Sequence, residues 1–410
     1  MKSLSKLFRI GNGPSASHTI GPATAARSFL KQVKDDKPDL IKATLYRSIA
    51  LTGKGHHSDF IISSIFSPIP CEVIFDFYSE APHPIYFSFE AFRDGVPFKK
   101  CHYTSLGGGE VTSEDDLEVN EKDIYPVLNF QHVKQIMEEK GLKSLKEFAL
   151  LYEDPSIDDY LNEAVLKMFS AVENGLSKSG KIPANDNPRL QWTRSGGRIV
   201  KEASCLPEES RKDMYLMGYA MAVAESNASG EEIVTGPTCG SCGVLPSILY
   251  YMHKNKGYSF ESCKDALYTA GIFGNIVKQN ATIVGAVGGC QAEIGTASAM
   301  AAAALCAMDG LKLYEQEFAA ECALEHFLGL SCDPVDGYVM IPCIERNGFG
   351  ALRAHAAYLY AKYVGKIKKN QVNFDDVVAA MKLTGDALAE AYKETSEGGL
   401  AEILRQKRSE

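Results

Sequence analysis

The sequence predicts an α+β protein. An N-terminal α/β domain with a small antiparallel sheet (residues 1–155) is followed by a mostly α-helical domain (156–410). Three observations carry this. A chain of 410 residues suits two domains at roughly 100–200 residues each. Three short runs rich in aromatic and β-branched residues crowd into the first third. From residue 156 onward, apolar positions recur with the 3.6-residue spacing of amphipathic helices. Composition excludes other classes. With 45% hydrophobic and 23% charged residues, the chain is neither disordered, collagen-like nor a polytopic membrane protein. Forty-three Lys and Arg against 52 Asp and Glu leave a net charge of −9, without the basic excess that duplex nucleic acid demands.

The elements follow in order. Residues 1–18 carry positive charge but no continuous apolar stretch, so no signal peptide is expected, and the chain reads as cytoplasmic with reduced thiols. Residues 22–33 and 38–51 suit helices. CEVIFDFYS (71–79), PIYFSFEAF (84–92) and KKCHYTSL (99–106) read as strands of an antiparallel meander closed by Gly107, Gly108 and Gly109. The acidic stretch 112–123 suits a solvated connection, and 156–177 is helical. IPANDNPRLQWTRSGGR (182–198) reads as a long loop or domain boundary. Seven helical segments are expected beyond it, at 210–227, 246–254, 261–278, 291–308, 313–328, 347–364 and 375–393, with no further strands. The least polar stretch, 281–308, holds one charge, Glu293, and suits a buried helix better than a membrane span.

Eleven cysteines, an odd number, do not suit a disulfide framework in a chain this large. Cys71, Cys101, Cys205, Cys263, Cys306 and Cys322 lie in ordinary strand or helix contexts and read as buried small hydrophobes. Five sit beside glycine or proline. Cys290 follows Gly288 and Gly289 and precedes a small-residue helix, whose positive end lowers a thiol pKa. Cys332 and Cys343 punctuate one loop with Pro334, Gly337 and Pro342. Three thiolates without a fourth suggest an iron–sulfur cluster with one open iron, but spacing alone leaves three unrelated buried thiols equally open. Cys239 and Cys242 form a C-x-x-C within GPTCGSCGVLP. No matching ligand pair for zinc lies nearby. A dithiol switch is less expected than glycines that let backbone amides approach a ligand.

GPSASHTIGP (13–22), SIALTGKGHHSD (48–59) and SLGGG (105–109), together with VTGPTCGSCGVLP (234–246), NATIVGAVGGCQAEIG (280–295), EHFLGLSCDPVDGYVMIPCIERN (325–347) and YKETSEGGLA (392–401), resemble the signatures of the iron–sulfur-dependent L-serine dehydratases in their single-chain form. The resemblance runs in matching order from about residue 10 to 401. It implies a [4Fe–4S] cluster on Cys290, Cys332 and Cys343, no pyridoxal phosphate, and conversion of L-serine to pyruvate and ammonium, a step of amino-acid degradation feeding gluconeogenesis. The expected partners are a small amino-acid substrate and a second copy in a homodimer, without nucleic acid or membrane. Two departures stand out. Some members end in a cysteine that caps the open iron, whereas this sequence ends Lys407-Arg408-Ser409-Glu410, so water or another group is expected there. The thiols Cys239 and Cys242 are not usual for the family's glycine-rich segment. No room is expected for the regulatory C-terminal domain of some relatives.

The reaction needs a general base for the α-proton. His56 is the first candidate, because flanking glycine allows close approach and Asp59 could orient the ring; His18 is second. Ser15, Ser17 and Thr19, with free amides at a helix start near Pro22, suit the substrate carboxylate, unless they only cap that helix. Lys54 and Arg346 are cations for the carboxylate or for charge balance at the cluster. Asn280 and the backbone of 285–289 are expected to shape the pocket, with Glu293 nearby. The competing readings are the same elimination on L-cysteine or L-threonine, and a non-catalytic iron–sulfur redox or sensor protein. Electron transfer favours four thiolates, which weighs against the latter.

Overall fold

A computed structural model describes residues 1–184 and 187–409. Helices dominate the second half, where each of the seven predicted segments falls on a helix, though those expected over 313–328 and 375–393 end early, at Glu325 and Ala387. At their centre lies Thr296–Met308, buried along residues 296–306. Its alanines and serines let Phe260–Asn280, Leu313–Glu325, Cys343–Val364 and Val244–Lys256 pack closely around it. Among the described residues, no helix is long and apolar enough to cross a membrane.

The first residues of the chain belong to this helical core. Leu4, Leu7 and Phe8 are buried in it. Gly271 and Gly274 make room for them: a Cβ at Gly271 would stand 2.6 Å from Leu4 Cδ2, and one at Gly274 would stand 2.8 Å from Leu7 Cδ2. Ile10–Asn12 then pairs antiparallel with Glu232–Val234. This threading delivers residues 13–20 to the edge of the helical body before the sheet begins.

The sheet has the order Cys71–Asp76, Leu40–Arg47, Ile85–Arg93, Val96–Gly107, Glu110–Thr112. The helix expected over 38–51 is therefore the strand Leu40–Arg47 followed by the helical turn Ser48–Thr52. The reason is a period of two: Ile41, Ala43 and Leu45 are buried while Lys42, Thr44 and Tyr46 are half-exposed. The expected meander is corrected as well. Cys71–Asp76 runs parallel to Leu40–Arg47, reached by a crossover through helix Ser58–Phe66, and Ile85–Arg93 pairs with the other side of Leu40–Arg47. Helices Gly21–Val33 and Ser58–Phe66 cover one face, burying Phe29, Phe66, Phe87, Phe89 and Tyr103. The acidic stretch 112–123 is more than a solvated link, since Asp116 is buried and accepts from Tyr103 Oη at 3.0 Å.

The loop expected over 182–198 is a hairpin, Lys181–Ala184 with Asn187–Thr193, followed by helix Gly196–Ala203; residues 185–186 of that stretch lie outside the described residues. Ile182 and Leu190 face a small third core with Met221 and Ile344, which is why this segment orders. The absence of further strands is thus corrected by this hairpin and by Glu232–Val234.

The two main cores meet at one segment. Ile283 packs in the helical core, whereas Val284 and Ala286 pack under the sheet. The turn Gly107–Gly109, with φ of +85°, +60° and +84°, closes against it; a Cβ at Gly107 would lie 2.6 Å from Val284 Cγ2. Only glycine suits three such residues in succession. The segment leads directly to Cys290.

Candidate active site

Cys290 stands immediately before the helical turn Gln291–Gly295, which continues into Thr296–Met308, and Cys343 is the first residue of Cys343–Val364. Both thiols therefore lie at positive helix ends. Cys332 comes from the intervening loop, and all three are buried. The Sγ atoms of Cys290 and Cys332 and a carboxylate oxygen of Glu293 lie within 4.8 Å of one another. A hydrogen bond with Cys332 and the charge of Arg346 bring the Cys290 thiol down to about 6 despite burial; burial and the Cys290 charge push Glu293 up to about 8. Arg346 donates to Ser331 O at 2.8 Å and to Asp333 Oδ1 at 3.2 Å. Burial works against its charge, but Cys290, Cys343, Cys332 and Asp333 sustain it.

The histidines come from the other side. Ser15 caps the turn Ala16–Ile20, its Oγ accepting from the His18 amide at 3.1 Å. The hydroxyls of Ser15 and Ser17 lie 3.2 and 3.0 Å from His18 Nδ1. Two reciprocal bonds lock this turn to the His56 loop: Thr19 Oγ1 donates to His56 O at 2.7 Å, and Ser58 Oγ donates to His18 O at 2.6 Å. The two rings end 4.4 Å apart between centroids. Burial lowers both pKa values, that of His56 to about 3, with the neighbouring His18–His56 and His56–His57 repulsions adding. His18 Nε2 and both ring nitrogens of His56 are buried without a hydrogen-bond partner.

One residue joins the two halves. Glu394 Oε1 lies 3.8 Å from His18 Nδ1 and 3.9 Å from His56 Nε2. Its backbone is bridged to the cysteine loop: Cys332 N donates to Tyr392 O, and Glu394 N to Cys332 O, each at 2.8 Å. Glu394 and Ser396 take positive φ, 59° and 61°. Ser396 Oγ donates to Pro334 O at 2.7 Å and Leu400 N to Asp333 Oδ2 at 2.8 Å, tying the segment down. Gly285 lies where everything converges: a Cβ there would be 2.8 Å from Glu293 Oε2 and 3.2 Å from both Cys332 Sγ and Glu394 Oε2. A cavity of about 880 Å³, lined among others by Arg47, Ser48, Ala286 and Thr395, opens beside this point.

Of the candidates from sequence, His18, His56, Ser15, Ser17, Thr19, Cys290, Cys332, Cys343 and Arg346 are gathered here. Lys54 is not: it is exposed, its ammonium 5.6 Å from the Phe75 ring centroid. Asn280 is not either, since its side chain donates to Ile276 O within its own helix at 3.1 Å. Asp59 does not orient His56; its carboxylate accepts from the Phe60 amide at 2.9 Å. The amides expected near Pro22 are not free, because the preceding turn carries on into helix Gly21–Val33 and Thr19 N and Ile20 N both donate to Ser15 O. Cys239 and Cys242 are wholly buried and burial pushes both thiols up. Their glycines serve close approach, as a Cβ at Gly240 would meet Glu293 Oε1 at 2.9 Å. Thr238 Oγ1 donates to that same oxygen at 2.6 Å. Glu394 and Asp333 had no signal in the sequence beyond lying in the motif blocks.

The donor set suits the cluster that the motifs imply: three buried thiols with a compensating guanidinium, beside a glycine whose missing Cβ keeps the space among them clear. The chain also matches known proteins. Residues 111–401 match the family model of the serine dehydratase alpha chain, and residues 3–67 that of the serine dehydratase beta chain. It is 35% identical to an L-serine dehydratase of Helicobacter pylori (strain ATCC 700392 / 26695), across 98% of this chain and 99% of that one. It is 32% identical to an L-serine dehydratase of Streptomyces coelicolor, across 97% and 98%, and 31% identical to L-serine dehydratase 1 of Escherichia coli (strain K12), across 98% and 99%. Carrying the alpha-chain and beta-chain regions in one polypeptide, the chain belongs to the serine dehydratase family.

Proposed function

We propose that the protein converts L-serine to pyruvate and ammonium by β-elimination, using a [4Fe–4S] cluster held by Cys290, Cys332 and Cys343. The observation that carries this is the meeting of three buried thiols with two buried histidines that carry unpartnered ring nitrogens, in a chain of this family. When bound, the cluster supplies an iron without a protein thiolate, a Lewis acid toward the β-hydroxyl.

The chain's own residues do the rest. Burial keeps His56 neutral, so a ring nitrogen is free to accept the α-proton. The α-proton thus goes to His56, and the imidazolium formed gives a proton to the departing hydroxyl, which leaves as water with the C–O electron pair. The remaining aminoacrylate tautomerises and hydrolyses to pyruvate and ammonium. With ring centroids 4.4 Å apart, His18 packs against His56 and holds its ring in place. Arg346, committed to Ser331 and Asp333, balances thiolate charge rather than leaving its post for the substrate.

The test is anaerobic reconstitution with iron and sulfide, counting both, followed by a pyruvate assay with L-serine. Cluster-loaded protein that makes no pyruvate would sink the reading. Faster ammonia release from L-cysteine or L-threonine would move the substrate.

A further inference from the structure

We infer that Glu394 binds the α-ammonium of the substrate and so makes the site select amino acids over the matching hydroxy acids. The inference rests on the reading above that the chain acts on L-serine. An amino acid brings a cation into this site, and a buried cation needs an anionic acceptor. His18 and His56 are held neutral by burial, and Arg346 repels an ammonium. Glu293 is turned to the sulfur side and bonded to Thr238. Among the described residues around the histidine pair, Glu394 is the carboxylate that remains, and it lies next to Thr395 and Ser48 of the cavity wall, Ser48 Oγ donating to Glu394 O at 3.2 Å. Burial and the charges of Glu293 and Cys290 raise its pKa well above the usual carboxylate range, so an arriving ammonium is the partner that would hold it ionised.

The spacing fits the chemistry. The ammonium nitrogen and the carbon that loses its proton are bonded neighbours, about 1.5 Å apart. Their acceptor and their base must therefore be close neighbours too, each within hydrogen-bond reach of its own partner. Glu394 Oε1 stands 3.9 Å from His56 Nε2 and 3.8 Å from His18 Nδ1. An ammonium held on that oxygen sets the α-carbon beside the unpartnered His56 nitrogens. The bridge to Cys332 and the positive φ of Glu394 fix the carboxylate there without help from the substrate.

The experiment uses holoenzyme reconstituted in the same way for wild type, Glu394→Gln and Glu394→Asp. It reads the KM for L-serine and the inhibition constant of L-glycerate, which carries a hydroxyl in place of the ammonium. Losing a charged hydrogen bond predicts that Glu394→Gln raises the serine KM roughly 10- to 100-fold, while glycerate inhibition moves by less than about threefold, the scatter expected for an untouched contact. Glu394→Asp should recover part of the serine affinity. A parallel rise for both ligands, a fall in kcat at unchanged KM, or wild-type glycerate binding as tight as serine overturns the inference. Should Glu394→Gln fail to load iron, Glu394→Asp decides: its ratio of serine KM to glycerate inhibition constant must rise, and an unchanged ratio overturns the inference. Wild-type holoenzyme inert toward L-serine removes the functional reading itself, and this inference with it.

Discussion

Gly285→Ala separates the demands of the fold from those of the site. The residue opens the helical turn Gly285–Gly288 with no positive φ, so its backbone accepts alanine. Relieving a helical glycine is worth about 0.5–1 kcal/mol to the fold. Against this, the new methyl would lie 2.8 Å from Glu293 Oε2 and 3.2 Å from Cys332 Sγ and Glu394 Oε2. Crowding of that kind costs about 1–3 kcal/mol, so the net loss of stability stays at or below about 2.5 kcal/mol. The functional cost is larger, because the three atoms that must give way belong to side chains of the candidate site, one of them, Glu293, held through its other oxygen by Thr238 at 2.6 Å. Displacing reacting groups by a fraction of an ångström to 1 Å predicts a drop in kcat/KM of about 10- to 100-fold. Thermal unfolding, iron content and kcat/KM measured on the same preparation check the balance. A variant with wild-type iron content and kcat/KM within about twofold of wild type would show that the three side chains do not share one working geometry.

Cys332→Ala should lose both bound iron and pyruvate formation while staying folded by circular dichroism; retention of either refutes its role as a ligand. Acid should weaken the fold through His56. Its folded pKa, about 3, is below the ordinary histidine value of about 6.5, so the unfolded chain binds the proton more readily; stability is full above about 6.5 and falls as pH drops toward 3. At pH 5 the loss is about 2 kcal/mol. Urea midpoints at pH 7.5 and 5.0 should fall further in wild type than in His56→Asn, and equal shifts would contradict this. Gly55→Ala puts a Cβ 2.6 Å from the Gly337 carbonyl oxygen, backbone against backbone, and should cost about 1–3 kcal/mol of stability by thermal melt, where an unchanged midpoint would show that the loops can part.

What the sequence revealed depended on how local the cause was. The helical half was readable because periodicity and small-residue content act within one segment, as in Thr296–Met308. Leu40–Arg47 was misread because its alternation is short and runs into the helical turn Ser48–Thr52. The parallel pairing of Cys71–Asp76 depends on a crossover that no local pattern specifies. In the site, glycine-flanked histidines and cysteines drew notice by residue type and by resemblance to a family. Glu394 did not, because its approach to His56 comes from a backbone bridge between residues 332 and 393, far apart in sequence. Lys54 shows the reverse: its motif is genuine, yet its side chain lies over Phe75, outside the site.

The threading of Leu4, Leu7 and Phe8 into the helical core makes the early part of the chain a tether as well as a source of histidines. A cut anywhere between residue 67, where the beta-chain match ends, and residue 111, where the alpha-chain match begins, would leave the first fragment with its own anchor in the second. That anchor is the apolar plug in the hollows at Gly271 and Gly274, reinforced by the strand pair Ile10–Asn12 with Glu232–Val234. The segment that carries His18 is therefore also the one that holds the two matched regions together.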